Sequence, residues 1–304
     1  MPEGVVCCAR HRVSIAPRVA GCNTYPDGVT AVDLRPGVIR YESSLWETTA
    51  LALHADGQAV LVDPCISAPE VAAIAADVAA RGLAVRGLLI THADWDHVCG
   101  ISAFPGVPAI MSTGAAERIA SGQAAEDVVR DGAAEGLSWD GAPRADLVFE
   151  PGEALSVGPF TVETMALPGH TSCGAGYRVR ELGLLAVGDY LSVIEFPFVY
   201  VSTAAYRATL AALSDALERD PAEHVVPGHG RPLGTPEALA IARADLDYLH
   251  ALKTAMRGAL AGGATREEAI AVGAAVGVPR GAGDDTASLR HDNAVQQLAE
   301  LAAA

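Results

Sequence analysis

The chain contains 304 residues, of which 50% are apolar and 5% aromatic, and its formal net charge is −16. This length and composition predict a globular protein with a sizeable core and exclude a disordered or fibrous chain. Because no run of lysine or arginine offsets the negative charge, nucleic acids and anionic membrane surfaces are disfavoured as partners.

The N-terminal region and the cysteines bear on the location of the protein. No apolar run is long enough to span a membrane, and the first residues lack the continuous apolar region of a signal peptide. We therefore expect a cytoplasmic protein. Without a secretory signal or a C-x-x-C spacing, the cysteines are expected to be free thiols. They are Cys7, Cys8, Cys22, Cys65, Cys99 and Cys173.

The first half of the chain predicts alternating strands and helices. Runs of apolar and β-branched residues between turn residues are typical of strands. One helical segment has Pro69 in its first turn and Gly82 at its end, which are favoured positions for these residues. The predicted strands cover 29–34, 48–55, 58–63, 85–92 and 108–112, and the predicted helices cover 68–82, 96–104 and 114–137.

Strand signals return in the middle of the chain. They occur in "ADLVFE", "FTVETMALPG" and "GYRVRELGLLAVGDYLS". A helix with an apolar stripe follows over 204–220, and a short strand that ends in a glycine-flanked histidine follows over 223–230.

After this strand the chain is predicted to be helical. Thr235 and Pro236 are typical of an N-cap and a first helical position, and they predict a helix that runs to about residue 261. Thr265 and Glu268 have the spacing of a capping box, and a last helix is predicted over 284–303. The whole order predicts an α/β sandwich of two sheets flanked by helices.

Four histidines stand at predicted strand ends beside glycine or aspartate. His92 and His97 lie in "THADWDH", His170 in "LPGHTSCG" and His229 in "VVPGHG", while Asp189 follows a glycine in "AVGDYLS". A single histidine of this kind is usually a packing residue, but four in similar turns are hard to explain by packing. Imidazoles and carboxylates are the ligands that zinc, iron and manganese use.

These motifs make the chain resemble the metallo-β-lactamase superfamily, whose hydrolases carry a T-H-x-H-x-D-H loop. The order and approximate spacing agree over residues 48–230. The resemblance implies a four-layer αβ/βα sandwich over residues 1–232, with residues 233–304 as a helical extension packed on the same domain. It also implies a two-metal site, with Asp63 supporting the ligand loop.

The resemblance implies a role for each ligand position. His92, residue 94 and His170 would hold the first metal, and Asp189 would bridge the two metals. The second metal would be held by Asp96, His97 and His229. Where the family carries a second histidine, this chain has Asp94. Both half-sites then contain two histidines and one carboxylate. The resemblance implies two divalent ions, with zinc expected, and the extra oxygen ligand of Asp94 keeps iron or manganese as the alternative.

The chemistry implied is metal-assisted hydrolysis of a small ester, lactone, thioester or related substrate. Two cations would lower the pKa of a bridging water and polarise the substrate carbonyl or phosphoryl oxygen, with Asp96 orienting the attacking oxygen and Asp189 holding both metals. Asp94 also keeps open a non-haem iron redox enzyme, since superfamily members with two irons carry a carboxylate there. Loss of one histidine keeps open a non-catalytic ligand-binding module.

Aromatic residues near the motifs are candidates for a substrate pocket, with local core packing as the alternative. Helices after residue 232 could cap this pocket or form the surface of a homodimer. A small molecule is the expected partner. The pocket candidates are Trp46, Trp95, Tyr190, Phe196 and Phe198, with Tyr200 in the same segment.

Overall fold

The computed structural model describes residues 22–24, 28–64, 66–139, 141–281 and 286–303. Cys7, Cys8 and Cys65 lie outside the described residues, as does most of the glycine-rich segment before the last helix. Cys99 and Cys173 are buried free thiols, as the sequence predicts.

Eight strands form the first sheet in chain order, antiparallel from β1 to β5 and parallel from β5 to β8. The parallel pairs need crossover connections, which α1 supplies between β5 and β6. The strands are β1 Cys22–Thr24, β2 Thr30–Arg35, β3 Val38–Glu42, β4 Thr49–Ala55, β5 Gln58–Val62, β6 Ala84–Leu89, β7 Ala109–Ser112 and β8 Leu147–Phe149.

The second sheet contains five strands in the order β13-β12-β11-β10-β9, and only the β12–β13 pair is parallel. Its strands are β9 Ala154–Val157, β10 Phe160–Ala166, β11 Ala175–Val179, β12 Leu184–Ala186 and β13 His224–Val226. The helices are α1 Ala68–Ala80, α2 Trp95–Val98, α3 Thr113–Ala120, α4 Gln123–Ala134, α5 Thr203–Arg219, α6 Thr235–Ala261, α7 Arg266–Ala274 and α8 Ala287–Ala303.

Three buried apolar clusters order these elements into four layers. One cluster lies between the sheets, where Leu53 and Val60 of the first meet Tyr177 and Val179 of the second. A second cluster joins α1 to the outer face of the first sheet, and a third joins α5, α6 and α8 to the second sheet. The predicted αβ/βα sandwich with C-terminal helices is therefore confirmed. None of the described helices combines the length and apolar character that a bilayer span requires.

Several predicted boundaries differ from the structure for local reasons. The helix predicted over 114–137 is two helices, because Gly122 takes a left-handed φ of +85° between α3 and α4. Thr235 is not the N-cap of α6, since Gly234 is, and the Thr235 hydroxyl instead hydrogen-bonds both backbone groups of Ala222. The capping box of Thr265 and Glu268 is confirmed.

Candidate metal centre

The candidate ligands follow the carboxyl ends of strands from both sheets. His92 comes three residues after β6, and Asp94 is the extended residue that precedes α2. Asp189 and His229 each come three residues after the ends of β12 and β13. Because β12 and β13 are parallel, their ends lie at one edge of the sheet, and the loop that carries His170 follows β10. Loops from both sheets therefore meet at one place, where the candidate ligands lie close together.

At this point the ligand candidates form two groups. In the first, the Asp94 Oδ2 atom lies 3.6 Å from His92 Nε2 and 3.3 Å from His170 Nε2. In the second, the Asp96 Oδ2 atom lies 3.6 Å from His97 Nε2 and 3.2 Å from His229 Nε2. The structure brings together all six side chains that the sequence analysis divides between two metals.

Asp189 lies between the two groups. Its Oδ2 atom is 3.2 Å from His170 Nε2 and 3.5 Å from His92 Nε2. Its Oδ1 atom is 3.2 Å from His97 Nε2 and 3.6 Å from His229 Nε2. One carboxylate oxygen therefore faces each group, which is the geometry that the proposed bridging role requires.

The Nδ1 atoms of all four imidazoles have partners on the outer side of the site. His97 Nδ1 lies 2.9 Å from Asp63 Oδ2, and His170 Nδ1 lies 2.8 Å from the Phe198 carbonyl oxygen. His92 Nδ1 contacts the Thr91 hydroxyl at 3.0 Å, and His229 Nδ1 contacts the Trp46 carbonyl at 3.2 Å. Such contacts hold metal-binding imidazoles with Nε2 directed inward.

Asp63 also supports the ligand loop directly. Its Oδ1 atom accepts the Thr91 backbone N–H at 2.8 Å, and its Oδ2 atom accepts the Thr91 hydroxyl at 2.6 Å. This carboxylate therefore contacts both His97 and the residue before His92. The geometry agrees with the supporting role expected for Asp63.

The inward-facing atoms test whether the site suits metal ions. Among the described residues, several of them are buried and have no hydrogen-bond partner, which is rare for buried polar atoms. These atoms are His92 Nε2, His97 Nε2, His170 Nε2 and Asp189 Oδ1. Imidazole nitrogens and carboxylate oxygens are suitable donors for zinc, iron and manganese. The residues present fit a divalent cation.

The charges of the site shift its pKa values strongly. Burial lowers the pKa of the His97 and His170 imidazoles, but the adjacent Asp189 carboxylate and its neighbours raise both well above 6.5. Burial raises the pKa of Asp94, but His92, His170 and Arg118 outweigh it and hold this pKa well below its usual value. The carboxylates are thus ionised, as metal binding requires.

Arg118 is a site neighbour that the sequence analysis missed. Its Nη2 atom lies 3.2 Å from Asp94 Oδ1 and 2.7 Å from Asp127 Oδ2. A single arginine in a predicted helix gives no signal in the sequence, because only the packing of α3 against the ligand loop brings it close. Asp94 therefore directs one oxygen to the histidines and the other to a guanidinium.

Glu195 was missed as well. Burial raises the pKa of this carboxyl to about 7, and its charged neighbours are His229, Asp189, Asp96 and His170. The Ser192 hydroxyl accepts the Glu195 backbone N–H at 3.1 Å and donates to the His229 carbonyl at 2.9 Å, so the loop with Glu195 is tied to a ligand candidate. In the sequence, Glu195 could have been found from its position shortly after Asp189.

Some of the predicted pocket residues are exposed to solvent, and others are buried in the core. Trp46 is 40% exposed and packs edge-on against Trp95, with ring centroids 5.4 Å apart. Tyr200 is 46% exposed, and its ring centroid lies 5.1 Å from that of His170. Tyr200 therefore places exposed aromatic surface beside His170, and Trp46 places it beside Trp95 of the loop that carries His92 and His97.

Tyr190 and Phe196, in contrast, are fully buried. The Tyr190 hydroxyl donates to the Pro168 carbonyl at 2.8 Å and accepts the His170 backbone N–H at 3.0 Å. Phe196 packs against Phe198 and Tyr248 in the third apolar cluster. The alternative of core packing holds for Tyr190 and Phe196, because their burial leaves no surface for a substrate.

Comparison with known proteins gives a family match. The model of the family described as "Metallo-beta-lactamase superfamily" matches residues 45–229. The chain is also similar to the probable metallo-hydrolase YqgX of Bacillus subtilis (strain 168), with 26% identity over 148 residues. This alignment covers 48% of the chain and 66% of the relative, slightly less than two thirds of its length.

Solved structures with the same fold are more distant in sequence. A metallo-beta-lactamase family protein from Thermus thermophilus superposes with a TM-score of 0.65 at 21% identity, over 89% of this chain and 96% of that one. A stereoselective inverting sec-alkylsulfatase from Pseudomonas sp. gives a TM-score of 0.66 at 14% identity. That match covers 90% of this chain but 50% of the alkylsulfatase. At these identities the structures establish the fold alone.

Proposed function

The chain belongs to the metallo-beta-lactamase superfamily, and from this premise we propose that it is a metal-dependent hydrolase of a small ester, lactone, thioester or related substrate. The observation that carries the proposal is the convergence of four imidazoles and three carboxylates on one point, with several of their inward atoms buried and unpartnered among the described residues. A set of this kind is typical of metal-assisted hydrolysis.

We propose that two divalent cations, with zinc as the first candidate, are held in two half-sites. His92, Asp94 and His170 would hold one cation, and Asp189 would share its two oxygens between both. The other cation would be held by Asp96, His97 and His229. Bound cations of this kind supply Lewis acidity and make an attacking water more acidic.

The chain's own residues would position these groups and the substrate. Asp63 and the Phe198 carbonyl orient His97 and His170, and burial limits the access of bulk water to Asp63 and Asp96. Asp96 lies at the inner edge of its half-site, 3.2 Å from His229 Nε2, and we propose that it also orients the attacking water. No serine or cysteine nucleophile is needed for such a reaction.

We further propose that the substrate has an apolar or aromatic part. Tyr200 exposes aromatic surface beside His170, and Trp46 exposes it beside Trp95 of the loop that carries His92 and His97. Exposed aromatic rings beside a polar centre are a common arrangement for binding an acyl or aromatic group. The charge of −16 and the aromatic flanks together favour small molecules over nucleic acids as substrates.

The direct test combines metal analysis with a substrate panel. The protein is purified without added metal and without oxygen, its metal content is measured, and it is assayed on aryl esters, lactones and thioesters. Two equivalents of zinc with turnover that EDTA abolishes and zinc restores would support the proposal. Protein that binds no metal after reconstitution would refute it and favour a ligand-binding module.

The second candidate is a non-haem iron redox enzyme on the same fold. Asp94 favours it, because this residue gives each half-site two imidazoles and one carboxylate beside the shared Asp189. Oxygen ligands shift metal preference toward iron and manganese. Iron with a visible charge-transfer band, together with no hydrolysis of any panel substrate, would favour this function over hydrolysis.

A further inference from the structure

Helix α8 places a row of polar side chains along the segment 197–204. Gln296 donates to the Tyr200 carbonyl at 2.9 Å, and the Thr203 hydroxyl donates to the Gln297 side chain at 3.0 Å. Glu300 accepts the Ser202 hydroxyl at 2.9 Å and the Ala204 backbone N–H at 2.7 Å. The C-terminal extension is thus hydrogen-bonded over the whole length of this segment.

Asn293 makes the most specific of these contacts. Its side chain is fully buried, and its amide oxygen accepts the Val199 backbone N–H at 2.9 Å. Its amide nitrogen donates to the Pro197 carbonyl at 2.7 Å and to the Tyr248 hydroxyl at 3.1 Å. One side chain therefore pairs with the backbone on both sides of a single residue, Phe198.

Phe198 connects this contact to the candidate metal centre. Its carbonyl oxygen accepts a hydrogen bond from His170 Nδ1 at 2.8 Å, and the Tyr200 backbone N–H donates to the His170 carbonyl at 3.1 Å. With Nδ1 carrying the proton, Nε2 presents its lone pair toward Asp94 and Asp189. The path from α8 to the inward atom of His170 consists of two hydrogen bonds and one peptide unit.

Packing alone does not require an asparagine at this position. A buried amide costs free energy unless each polar atom is paired, and a leucine of similar volume would fill the space without that cost. Asn293 is fully paired, and both backbone groups it binds belong to the residues that flank Phe198. The amide group of Asn293 therefore holds the backbone of the segment 197–204 in place around Phe198.

We propose that Asn293 is a positioning residue for the metal centre, which makes the C-terminal extension part of the site: Asn293 fixes the Phe198 carbonyl, and this carbonyl fixes the imidazole of His170. The inference rests on the proposed metal-binding function. Loss of a residue that orients a metal ligand typically lowers metal affinity by about 10- to 100-fold. We expect a loss of this size in Asn293→Ala, confined to the half-site that contains His170.

Two readouts test the inference. The first is zinc affinity at each half-site, measured by competition with a coloured chelator. The second needs no metal: in chelated protein labelled with nitrogen-15, the His170 Nδ1–H should exchange slowly with water because it is bonded to the Phe198 carbonyl. Asn293→Ala should lower the affinity and accelerate this exchange. If folding of Asn293→Ala is impaired, Asn293→Leu, which keeps the volume of the side chain and removes both backbone hydrogen bonds, should show the same changes.

Two controls separate positioning from general loosening of the helix. Tyr248→Phe removes a hydrogen bond to the same amide but leaves both backbone contacts, so neither readout should change. Leu298→Ala weakens the apolar packing of α8 but leaves the hydrogen bonds of Asn293 to Pro197 and Val199 in place. Equal losses in Leu298→Ala and Asn293→Ala, at similar melting temperatures, would overturn the inference. Slow exchange of the His170 Nδ1–H in an Asn293 variant would also overturn the inference, whether or not the wild-type protein binds metal.

Discussion

Asp94 is the residue at which this chain departs from the motif of its family, and its two oxygens have different partners. Oδ2 faces His92 and His170, while Oδ1 lies 3.2 Å from Arg118. The guanidinium offsets the charge that an aspartate adds to the site. Arg118 also limits Asp94 to one inward oxygen. The Asp94 carboxylate therefore has a charged partner, Arg118, that lies outside the motif.

The first prediction concerns the ligand role of Asp94. Asp94→Asn keeps the size of the side chain but removes its charge, so zinc affinity in the half-site with His92 and His170 should fall by about tenfold or more. Asp94→His restores an imidazole and should raise zinc occupancy there above that of the wild-type protein. Metal content after dialysis against limiting zinc measures both effects.

The control for this prediction is Asp215→Asn, which removes an exposed carboxylate from α5, away from the ligand loops. It should leave metal content unchanged. If Asp94→Asn and Asp94→His both bind metal like the wild-type protein, Asp94 has no role as a ligand.

The second prediction concerns Asp63, which contacts His97 Nδ1 and Thr91. Asp63 has a positive φ of 43°, and asparagine tolerates this conformation, so Asp63→Asn should fold. The amide accepts hydrogen bonds with one oxygen only. Zinc affinity should therefore fall by about 10- to 100-fold, most at the half-site with His97. Chelator competition measures this loss, and an unchanged affinity at both half-sites would contradict the supporting role.

At the scale of elements, the ligand loop depends on close contact between two chain segments. The short 3-10 helix Cys99–Ala103 follows α2, and a Cβ atom on Gly100 would lie 1.8 Å from the Pro64 carbonyl oxygen. Pro64 directly follows Asp63. The absence of a side chain at Gly100 thus keeps the loop that carries Asp96 and His97 against the strand end that carries Asp63.

The third prediction follows from this contact. Gly100→Ala should lower the free energy of unfolding by roughly 1–3 kcal/mol, because backbone must move to admit the methyl group, and it should weaken zinc binding as well. Gly258→Ala is the matched control. Apart from the backbone of its own helix, no atom of the described residues lies within 4 Å of its added Cβ, and alanine is favoured inside a helix, so stability should stay equal or rise. Urea unfolding of both variants tests this, and equal stabilities would refute the close-contact argument.

The sequence predicted the elements better than their contacts. Strands such as β4 and helices such as α6 have strong local patterns, and the candidate ligand histidines follow strands with recognisable glycine turns. Arg118 and Asn293 had no such signal, since each reaches the site only through the packing of its helix. Gly122 was visible in the sequence, but a glycine in a helical pattern can either continue the helix or break it, and the structure shows the break.

At the scale of the whole molecule, metal binding should couple to pH and to stability. Burial lowers the pKa values of His97, His170 and His229, but neighbouring carboxylates raise all three well above 6.5. In metal-free protein these groups stabilise the fold fully below 6.5, and this contribution is lost as pH rises through the raised pKa values. Metal binding needs neutral imidazoles, so it strengthens over the same range.

The fourth prediction is that the gap in melting temperature between zinc-loaded and chelated protein widens as pH rises from about 6 to about 9. Thermal unfolding of both forms across this range measures the gap. Buffer effects on the fold itself cancel in the difference between the two forms. A gap that is constant or narrows with rising pH would contradict proton competition at the imidazoles.

The contact between Thr48 and His229 also bears on how the protein folds. The two side chains lie 3.4 Å apart although 181 positions separate them along the chain, and Thr48 and His229 also form an isolated β-bridge. Closing a loop of this length costs entropy before the candidate metal-binding side chains can come together. Contacts between such distant segments also form slowly. The metal pocket should therefore be assembled late in refolding, and a ribosome-bound chain that has not yet emerged past residue 229 should lack it.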